Sequence, residues 1–202
     1  MLVLCSNGLT SEKLLAYIRD KSIGCKNAAL VVTADNEYKE KNYHVHRCIE
    51  ELKSINLDVD IFDLDIQPAK LLLNYDIVEF IGGNPFYLLH SIRENDAYGV
   101  LKFLADNKIL IGWSAAAFVF GPTLELVNQY SPEMNFLGLI NLNGLSLTQY
   151  EVLPHYSRFI SKFEQFEEKC RDYEGKHNIN VIRINDGEGV IIDSEETIIC
   201  RT

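Results

Sequence analysis

Three short motifs carry residue types that could together hydrolyse an amide. In the first, residues 109–118, an apolar run ends at Gly112 and continues through Trp113 and Ser114 into small residues. A strand that enters a helix through a tight turn is typical of a nucleophile elbow, where the positions two before and two after the nucleophile must be small. Those positions are Gly112 and Ala116, so the pattern predicts that Ser114 is a nucleophile. The alternative is a serine that caps a core helix.

The second motif is the sequence Gly-Gly-Asn-Pro at residues 82–85, which directly follows the apolar run at residues 76–81. Two glycines permit backbone conformations that other residues avoid, and they leave a backbone N–H unobstructed. At the end of a parallel strand this loop would lie beside the elbow and could supply an oxyanion donor. The alternative is a helix-capping turn, with Asn84 as the N-cap and Pro85 at the first helical position.

The third motif, Val-Leu-Pro-His-Tyr at residues 152–156, ends a short apolar run with a histidine. His155 follows Pro154, which restricts the backbone, and its type suits a general base. The alternative is an ordinary surface histidine or a hydrogen-bonded core histidine. No group of His, Cys and Asp residues has the spacing of metal ligands, so we expect neither a metal nor a cofactor.

The elements that must position these motifs alternate between strands and helices. The apolar runs at residues 28–33 and 108–112 predict buried strands, and residues 59–64 and 76–81 predict two further strands. Amphipathic stretches at residues 43–55, after Asn84, and at 98–106 predict the helices between them. This order predicts a mostly parallel central sheet with helices on both faces, whose site lies at the carboxyl ends of the strands.

The last third of the chain has a different pattern. Apolar and aromatic residues spaced along residues 159–173 predict one face of a single helix. Three closely spaced apolar runs follow, at residues 180–184, 189–193 and 197–200, and they predict antiparallel strands. No repeat or linker interrupts the chain, so we predict one domain over residues 1–202.

The composition excludes several classes of function. The chain has 202 residues, 47% of them hydrophobic, and 29 acidic against 19 basic residues give a net charge of −10. Such a charge repels nucleic acid, and no apolar run approaches the roughly 18 residues of a membrane-spanning helix. The N-terminus lacks a signal-peptide pattern, and five scattered cysteines indicate free thiols, so we expect a cytoplasmic protein.

Taken together, the three motifs resemble the peptidase E (aspartyl dipeptidase) family of serine peptidases, which includes the cyanophycinases. The resemblance spans roughly residues 1–193, and residues 185–193 are similar to the closing hairpin of that family. It rests on the following motifs: Gly82-Gly83-Asn84, Gly112-x-Ser114-Ala115, Gly121-Pro122 and Leu153-Pro154-His155-Tyr156. One departure is Ala116, where the family has glycine.

The resemblance implies a class I glutamine-amidotransferase-like α/β fold, with serine in place of the cysteine of those enzymes. It implies that Ser114 is the nucleophile, that His155 is its base, and that Gly83 and Ala115 supply oxyanion N–H groups. It also implies an acid between the serine and the histidine. Asn84, from the glycine motif, and Arg158, by its proximity to His155, are candidate substrate-binding residues.

Three carboxylates lie in the interval between the serine and the histidine. Glu125 belongs to the elbow helix or its exit, and Glu151 lies on the predicted strand that leads to His155. Glu133 follows Pro132 in a predicted loop and is the best placed of the three, so we expect it to orient the histidine. The alternative is a Ser-His dyad that Ser131 or a backbone carbonyl assists.

The leading hypothesis is therefore a cytoplasmic serine hydrolase of peptidase E type, a monomer or homodimer that cleaves a small peptide or related amide. A rival of another class is a non-catalytic relative that binds a small ligand or a protein partner. A third is a flavodoxin-like phosphate binder that uses residues 6–8 and 82–83, although it lacks a phosphate-binding glycine motif. None of these involves nucleic acid or a membrane.

Overall fold

The computed structural model of the protein describes residues 1–193 and 196–201. Its strands are β1 (Leu2–Cys5), β2 (Asn27–Val31), β3 (Asp58–Phe62), β4 (Ile77–Phe80), β5 (Ile109–Trp113), β6 (Glu151–Leu153), β7 (Val181–Arg183), β8 (Gly189–Ile192) and β9 (Thr197–Cys200). Its α-helices are α1 (Glu12–Lys21), α2 (Tyr43–Ser54), α3 (Pro85–Glu94), α4 (Tyr98–Asn107), α5 (Ala115–Phe120), α6 (Glu125–Tyr130), α7 (Tyr156–Lys162) and α8 (Phe166–His177). Short 3-10 helices cover Lys39–Lys41, Ala69–Asn74 and Pro132–Met134.

Seven strands form the central sheet in the order β3-β2-β4-β5-β1-β8-β9. The first five strands of that order are parallel, whereas β8 pairs antiparallel with β1, and β9 pairs antiparallel with β8. This confirms the predicted sheet and its antiparallel C-terminal pair. Because β1, β4 and β5 are parallel, their carboxyl ends lie at one edge of the sheet, and the start of β8 lies there too.

Two apolar cores lie on opposite faces of this sheet. One contains alternate strand residues such as Val3, Leu30 and Ile111, packed against buried side chains of α1 and α2. The other contains Leu4 and Val78 with the buried faces of α3, α4 and α5. Helices therefore cover both faces, as predicted, and burying apolar area on both sides is the main stabilising term of the fold.

The region after the sheet-forming strands departs from the sequence prediction in two ways. The single helix predicted over residues 159–173 is two helices, α7 and α8, separated where Gln165 adopts a left-handed conformation with a φ of 55°. The aromatic residues that suggested one face instead cluster around Tyr130, with ring centroids 4.9–5.5 Å from those of Phe159, Phe163 and Phe166.

The strand β7 is the second departure, because it pairs parallel with β6 in a separate two-stranded sheet. The helices α7 and α8 connect β6 to β7, and a crossover of that length returns the chain in the parallel direction. The antiparallel prediction is therefore wrong for this strand.

The predicted single domain over residues 1–202 stays a prediction, and Ser194, Glu195 and Thr202 lie outside the described residues. Within the described part of the chain, none of the helices has the length and apolar content needed to cross a membrane.

Candidate active site

Ser114 occupies a strained turn between β5 and α5. Its φ of 52° and ψ of −109° lie in a region that residues with a β-carbon rarely adopt. Its backbone N–H donates to the carbonyl of Cys5 at 3.1 Å, so the last residue of the neighbouring strand β1 holds the turn. This is the geometry predicted for a nucleophile elbow, in which the side chain projects from the sheet edge.

The small residues on either side of the turn are needed for packing. A β-carbon added at Gly112 would lie 2.6 Å from the ring of Phe120 and 3.0 Å from the β-carbon of Ala116. Ala116 itself is fully buried within α5, and it is not among the described residues with a positive φ. Its methyl group therefore fits a negative-φ helical position, and alanine there leaves the elbow intact.

His155 lies between β6 and α7, in a left-handed conformation with a φ of 57°. Its Nε2 atom is 3.0 Å from the Oγ atom of Ser114. The structure therefore brings together the serine and the histidine that the sequence motifs singled out. This distance allows the serine hydroxyl to donate a hydrogen bond to the imidazole.

The acid next to the histidine is Asp186, and this corrects the prediction of Glu133. The Oδ1 atom of Asp186 lies 2.7 Å from the Nδ1 atom of His155. Glu133 is exposed in the 3-10 helix Pro132–Met134 and makes no recorded contact with the histidine. Asp186 follows the histidine in the chain, and it reaches the histidine because β8, directly after it, pairs with β1 at the same sheet edge.

Opposing effects set the pKa values of this pair. Burial alone would raise the pKa of Asp186, but hydrogen bonds from Ser6 and His155 and the charge of Arg158 hold it below its ordinary value. Burial lowers the pKa of His155, although the hydrogen bond and charge of Asp186 oppose that shift. Near neutral pH the aspartate is therefore ionised and the imidazole is largely neutral, which is the state that accepts a proton at Nε2.

A cleft of about 290 Å³ opens in front of Ser114. Six of the residues that line it are Asn7, Tyr43, His44, Gly83, Trp113 and Arg158. The loops after β1 and β4 and the start of α2 contribute to its walls. The site therefore lies at the carboxyl ends of the parallel strands, as predicted.

Two backbone N–H groups near the elbow are candidate oxyanion donors, those of Gly83, which lines the cleft, and of Ala115, which follows Ser114. Gly83 has a φ of 153°, and a β-carbon there would lie only 2.2 Å from the carbonyl oxygen of Ala34, so only glycine fits. Within residues 1–193 and 196–201, no acceptor is recorded for its N–H. Ala115 is the first residue of α5, where a helix leaves N–H groups unsatisfied. Both groups suit a developing oxyanion.

The two predicted substrate-binding residues differ in how far they are available. Asn84 is the N-cap of α3, where its Oδ1 atom accepts from the N–H groups of Phe86 and Tyr87, and its Nδ2 atom donates to the carbonyl of Met134 at 2.8 Å. This side chain holds the loop together, and its role in substrate binding stays a prediction. Arg158 does line the cleft, with its side chain 66% exposed and its guanidinium paired with Asp186.

The phosphate-binding alternative does not fit the structure. The hydroxyl of Ser6 is fully buried and donates to Asp186 at 2.7 Å, so it cannot receive a phosphate in the cleft. The glycines of the other motif shape the wall beside the elbow instead.

The sequence and structure resemble those of peptidases. The chain is 28% identical over 181 residues to an uncharacterized peptidase of Listeria monocytogenes, covering 86% of this chain and 85% of the relative. It is 26% identical over 171 residues to a peptidase E of a Nostoc species, covering 79% of this chain and 66% of the relative.

A solved structure from Listeria monocytogenes EGD-e, described as a candidate peptidase E protein, has a similar fold. It superposes with a TM-score of 0.81 at 22% identity, covering all of this chain and 98% of the other. Peptidase family S51 matches residues 2–200, which is nearly the whole chain. The chain therefore belongs to peptidase family S51.

Proposed function

We propose that the protein is a serine peptidase that cleaves a small peptide or related amide through an acyl-enzyme. One observation carries the proposal: Ser114 Oγ, His155 and Asp186 form a continuous chain of contacts of 3.0 and 2.7 Å, with the serine on a strained elbow. A nucleophile, a base and a group that orients the base, all within hydrogen-bond distance, are what nucleophilic catalysis by serine requires.

The first half of the reaction forms the acyl-enzyme. The carboxylate of Asp186 accepts a hydrogen bond from the Nδ1–H group of His155, so Nε2 is free to take the proton of Ser114 as its oxygen attacks the substrate carbonyl. The negative charge on the carbonyl oxygen is held by the N–H groups of Gly83 and Ala115. The C–N bond then breaks, and the leaving amine takes the proton from Nε2.

The second half returns the enzyme to its starting state. Water gives a proton to Nε2 of His155 and attacks the acyl carbon, and the ester bond to Ser114 breaks. The proton on Nε2 returns to the serine oxygen, and the carboxylic acid product leaves. No step requires a metal or a cofactor.

The size of the cleft supports a small substrate. Its volume of about 290 Å³ lies at the lower end of the roughly 300–1,000 Å³ typical of small-molecule sites. A chain of only a few residues, with the scissile amide at Ser114, matches this space better than a folded protein. Arg158 stands at the mouth, although its guanidinium is engaged by Asp186.

Two features would favour a non-catalytic relative, an alanine that distorts the elbow and the lack of an acid next to the histidine, and neither is found. Ala116 fits its helical position, and an acid is present although it comes from a different part of the chain. The hydrolase is therefore the better supported of the two hypotheses.

The experiment is hydrolysis of a panel of dipeptides and dipeptide amides by the wild type and by Ser114→Ala. Loss of a triad nucleophile removes most of the rate enhancement, about 10⁶-fold in a serine protease. The proposal expects at least one substrate to be cleaved by the wild type and not detectably by the variant, with equal thermal unfolding temperatures. Unchanged turnover in a folded Ser114→Ala variant would contradict it.

A further inference from the structure

The hydroxyl of Ser6 contacts both the acid and the histidine of the site. Its Oγ atom donates to Oδ1 of Asp186 at 2.7 Å, and it accepts the backbone N–H of His155 at 2.9 Å. The same Oγ atom lies 3.1 Å from Nδ1 of His155. One buried hydroxyl is thus bound to the two residues whose relative position decides whether the imidazole is oriented.

The order of the strands explains why Ser6 can contact both residues. The strand β1 lies between β5, which ends at the elbow, and β8, which begins after the acid. At its end, the carbonyl of Cys5 accepts the N–H of Ser114, and the N–H of Ser6 donates to the carbonyl of Glu188, each at 3.1 Å. The backbone at residues 5–6 therefore joins the elbow to the loop that carries Asp186.

Ser6 cannot be a second nucleophile in this arrangement. It is fully buried, whereas Ser114 lines the cleft. It lies at Nδ1 of the imidazole, the nitrogen that the carboxylate also contacts, and not at Nε2. Its contacts are those of a group that acts through its neighbours.

The second oxygen of Asp186 shows why such a group is useful. Oδ2 is paired with Arg158, whose side chain is 66% exposed and free to exchange with solvent. An arginine there competes with the imidazole for the carboxylate. The hydrogen bond from Ser6 to Oδ1 holds the other oxygen toward His155, and a buried hydroxyl with a charged acceptor makes one of the stronger hydrogen bonds in a protein.

The backbone of His155 needs a similar restraint. Its φ of 57° is unfavourable for a residue with a β-carbon, so the surrounding contacts must hold it there. The hydrogen bond from its N–H group to Ser6 is one such contact, and its place as the N-cap of α7 is another restraint.

We propose that Ser6 is a positioning residue for the reaction, which orients Asp186 and His155 at once through its hydroxyl. This inference rests on the proposed function, because it assigns a role within the Ser114–His155–Asp186 site. Loss of the hydroxyl leaves the nucleophile, base and acid in the chain but loosens their alignment, and small misalignments are costly in catalysis.

The test compares Ser6→Ala in two backgrounds, the wild type and Asp186→Asn. The readouts are kcat/KM on a cleaved dipeptide and the rate at which a fluorophosphonate modifies Ser114. In the wild-type background we expect Ser6→Ala to lower both by about 10- to 100-fold, as for a hydrogen bond to a charged group. In the Asp186→Asn background we expect a loss below about 3-fold, because the two residues act as a unit.

Ser22→Ala is the matched control. Ser22 is also a buried serine, and its hydroxyl donates to the carbonyl of Arg19 at 3.0 Å at the end of α1, without a contact to Asp186 or His155. We expect its kinetics to equal those of the wild type. Ser6→Cys keeps the side-chain size with a weaker donor, so it provides a folded variant if alanine is not tolerated, and its rates should lie between those of serine and alanine.

Three results would overturn the inference. They are wild-type kinetics in folded Ser6→Ala, wild-type kinetics in folded Ser6→Cys, and an equal loss from Ser6→Ala in both backgrounds, which a purely structural role predicts. These results are distinct from failure of the proposed function, which would appear as a wild-type protein that neither hydrolyses peptides nor labels at Ser114.

Discussion

Asp186 and Glu79 are two carboxylates beside the elbow that the fold surrounds in opposite ways. Asp186 contacts His155 at the open edge of the sheet, with Ser6 and Arg158 as its other partners. Glu79 lies within β4, fully buried, where its Oε1 atom accepts a hydrogen bond from the indole of Trp113 at 3.1 Å. Asp186 contacts the base directly, whereas Glu79 contacts the residue before Ser114.

The pKa values follow these surroundings. The pKa of Asp186 lies below its ordinary value because its hydrogen bonds and nearby positive charge outweigh burial. Burial, with a smaller contribution from the charge of Glu51, raises the pKa of Glu79 to about 8, although Arg47 opposes the shift. The Oε2 atom of Glu79 has no hydrogen-bond partner among the described residues. The contacts at the carboxyl ends of the strands keep Asp186 charged for chemistry, whereas burial in the interior favours the neutral form of Glu79.

The largest effect should come from Asp186→Asn, which keeps the shape and removes the charge. An amide carries no negative charge to stabilise an imidazolium and does not fix the tautomer with a proton on Nδ1, and the equivalent change in a serine protease costs about 10⁴-fold in kcat. We expect a loss of two to four orders of magnitude in kcat, measured on a cleaved dipeptide, with a retained fold by circular dichroism. A kcat close to that of the wild type would remove Asp186 from the site.

Glu79→Gln should instead change stability in a pH-dependent way. The folded pKa of Glu79, about 8, lies above the ordinary value of 4.5, so the folded state holds its proton longer than the unfolded state. The contribution of Glu79 is therefore most favourable below about pH 4.5, and it is lost as the pH rises toward 8, with a slope of up to about 1.4 kcal/mol per pH unit. Glutamine cannot ionise and lacks this slope.

The measurement is the free energy of unfolding by urea for wild type and Glu79→Gln at pH 5 and pH 8. We expect the difference in the free energy of unfolding, variant minus wild type, to increase by a few kcal/mol from pH 5 to pH 8. A difference that does not depend on pH would mean that Glu79 keeps an ordinary pKa. Because glutamine still accepts the hydrogen bond of Trp113, we expect kcat at neutral pH to change less than about threefold.

The elbow and the acid were accessible to sequence reasoning to different degrees. The strand, glycine and small residues around Ser114 form a local pattern, and the structure confirms that geometry. His155 was also predicted from a local motif, residues 152–156, and it contacts Ser114 in the structure. Asp186 does not, because its place beside the histidine depends on β8 pairing antiparallel with β1, a contact between distant parts of the chain. The family pattern places the acid between the serine and the histidine, and for that reason Glu133 was predicted instead.

The N-cap at Asn84 and the aromatic spacing show what local patterns can predict. The Asn-Pro pattern predicted Asn84 as an N-cap, and the structure confirms that cap. The aromatic spacing over residues 159–173 indicated a buried face correctly, but the residues bury themselves around Tyr130 from two helices. Periodicity identifies what is buried better than it identifies where a helix breaks. The bounds of β2, β4 and β5 were predicted within two residues because each is a short, buried and mainly apolar run.

Ala116→Gly tests whether the methyl group next to the elbow contributes only to packing. Glycine in a helix interior costs about 1 kcal/mol relative to alanine, and this position is helical and fully buried. We expect a lower thermal unfolding temperature with kcat within about threefold of the wild type. A large fall in kcat without loss of stability would show that the methyl group contributes to the alignment of Ser114.

The smallest effect should come from Glu133→Gln, which serves as the control for Asp186→Asn. Glu133 is an exposed acid in a short 3-10 helix, and removing its charge should leave both kcat and the unfolding temperature unchanged within error. A fall in kcat of two orders of magnitude would reassign the orienting role and break the contrast between Asp186 and other carboxylates.

The most direct test of the account is labelling of the folded wild-type protein with a fluorophosphonate probe, followed by mass-spectrometric mapping of the modified residue. We predict a single modification at Ser114 that is absent in Ser114→Ala, slowed at least 100-fold in Asp186→Asn and unaltered in Glu133→Gln. Modification at Ser6 or at another residue, or no modification of the folded protein by any acylating probe, would contradict the assignment of Ser114 as an activated nucleophile.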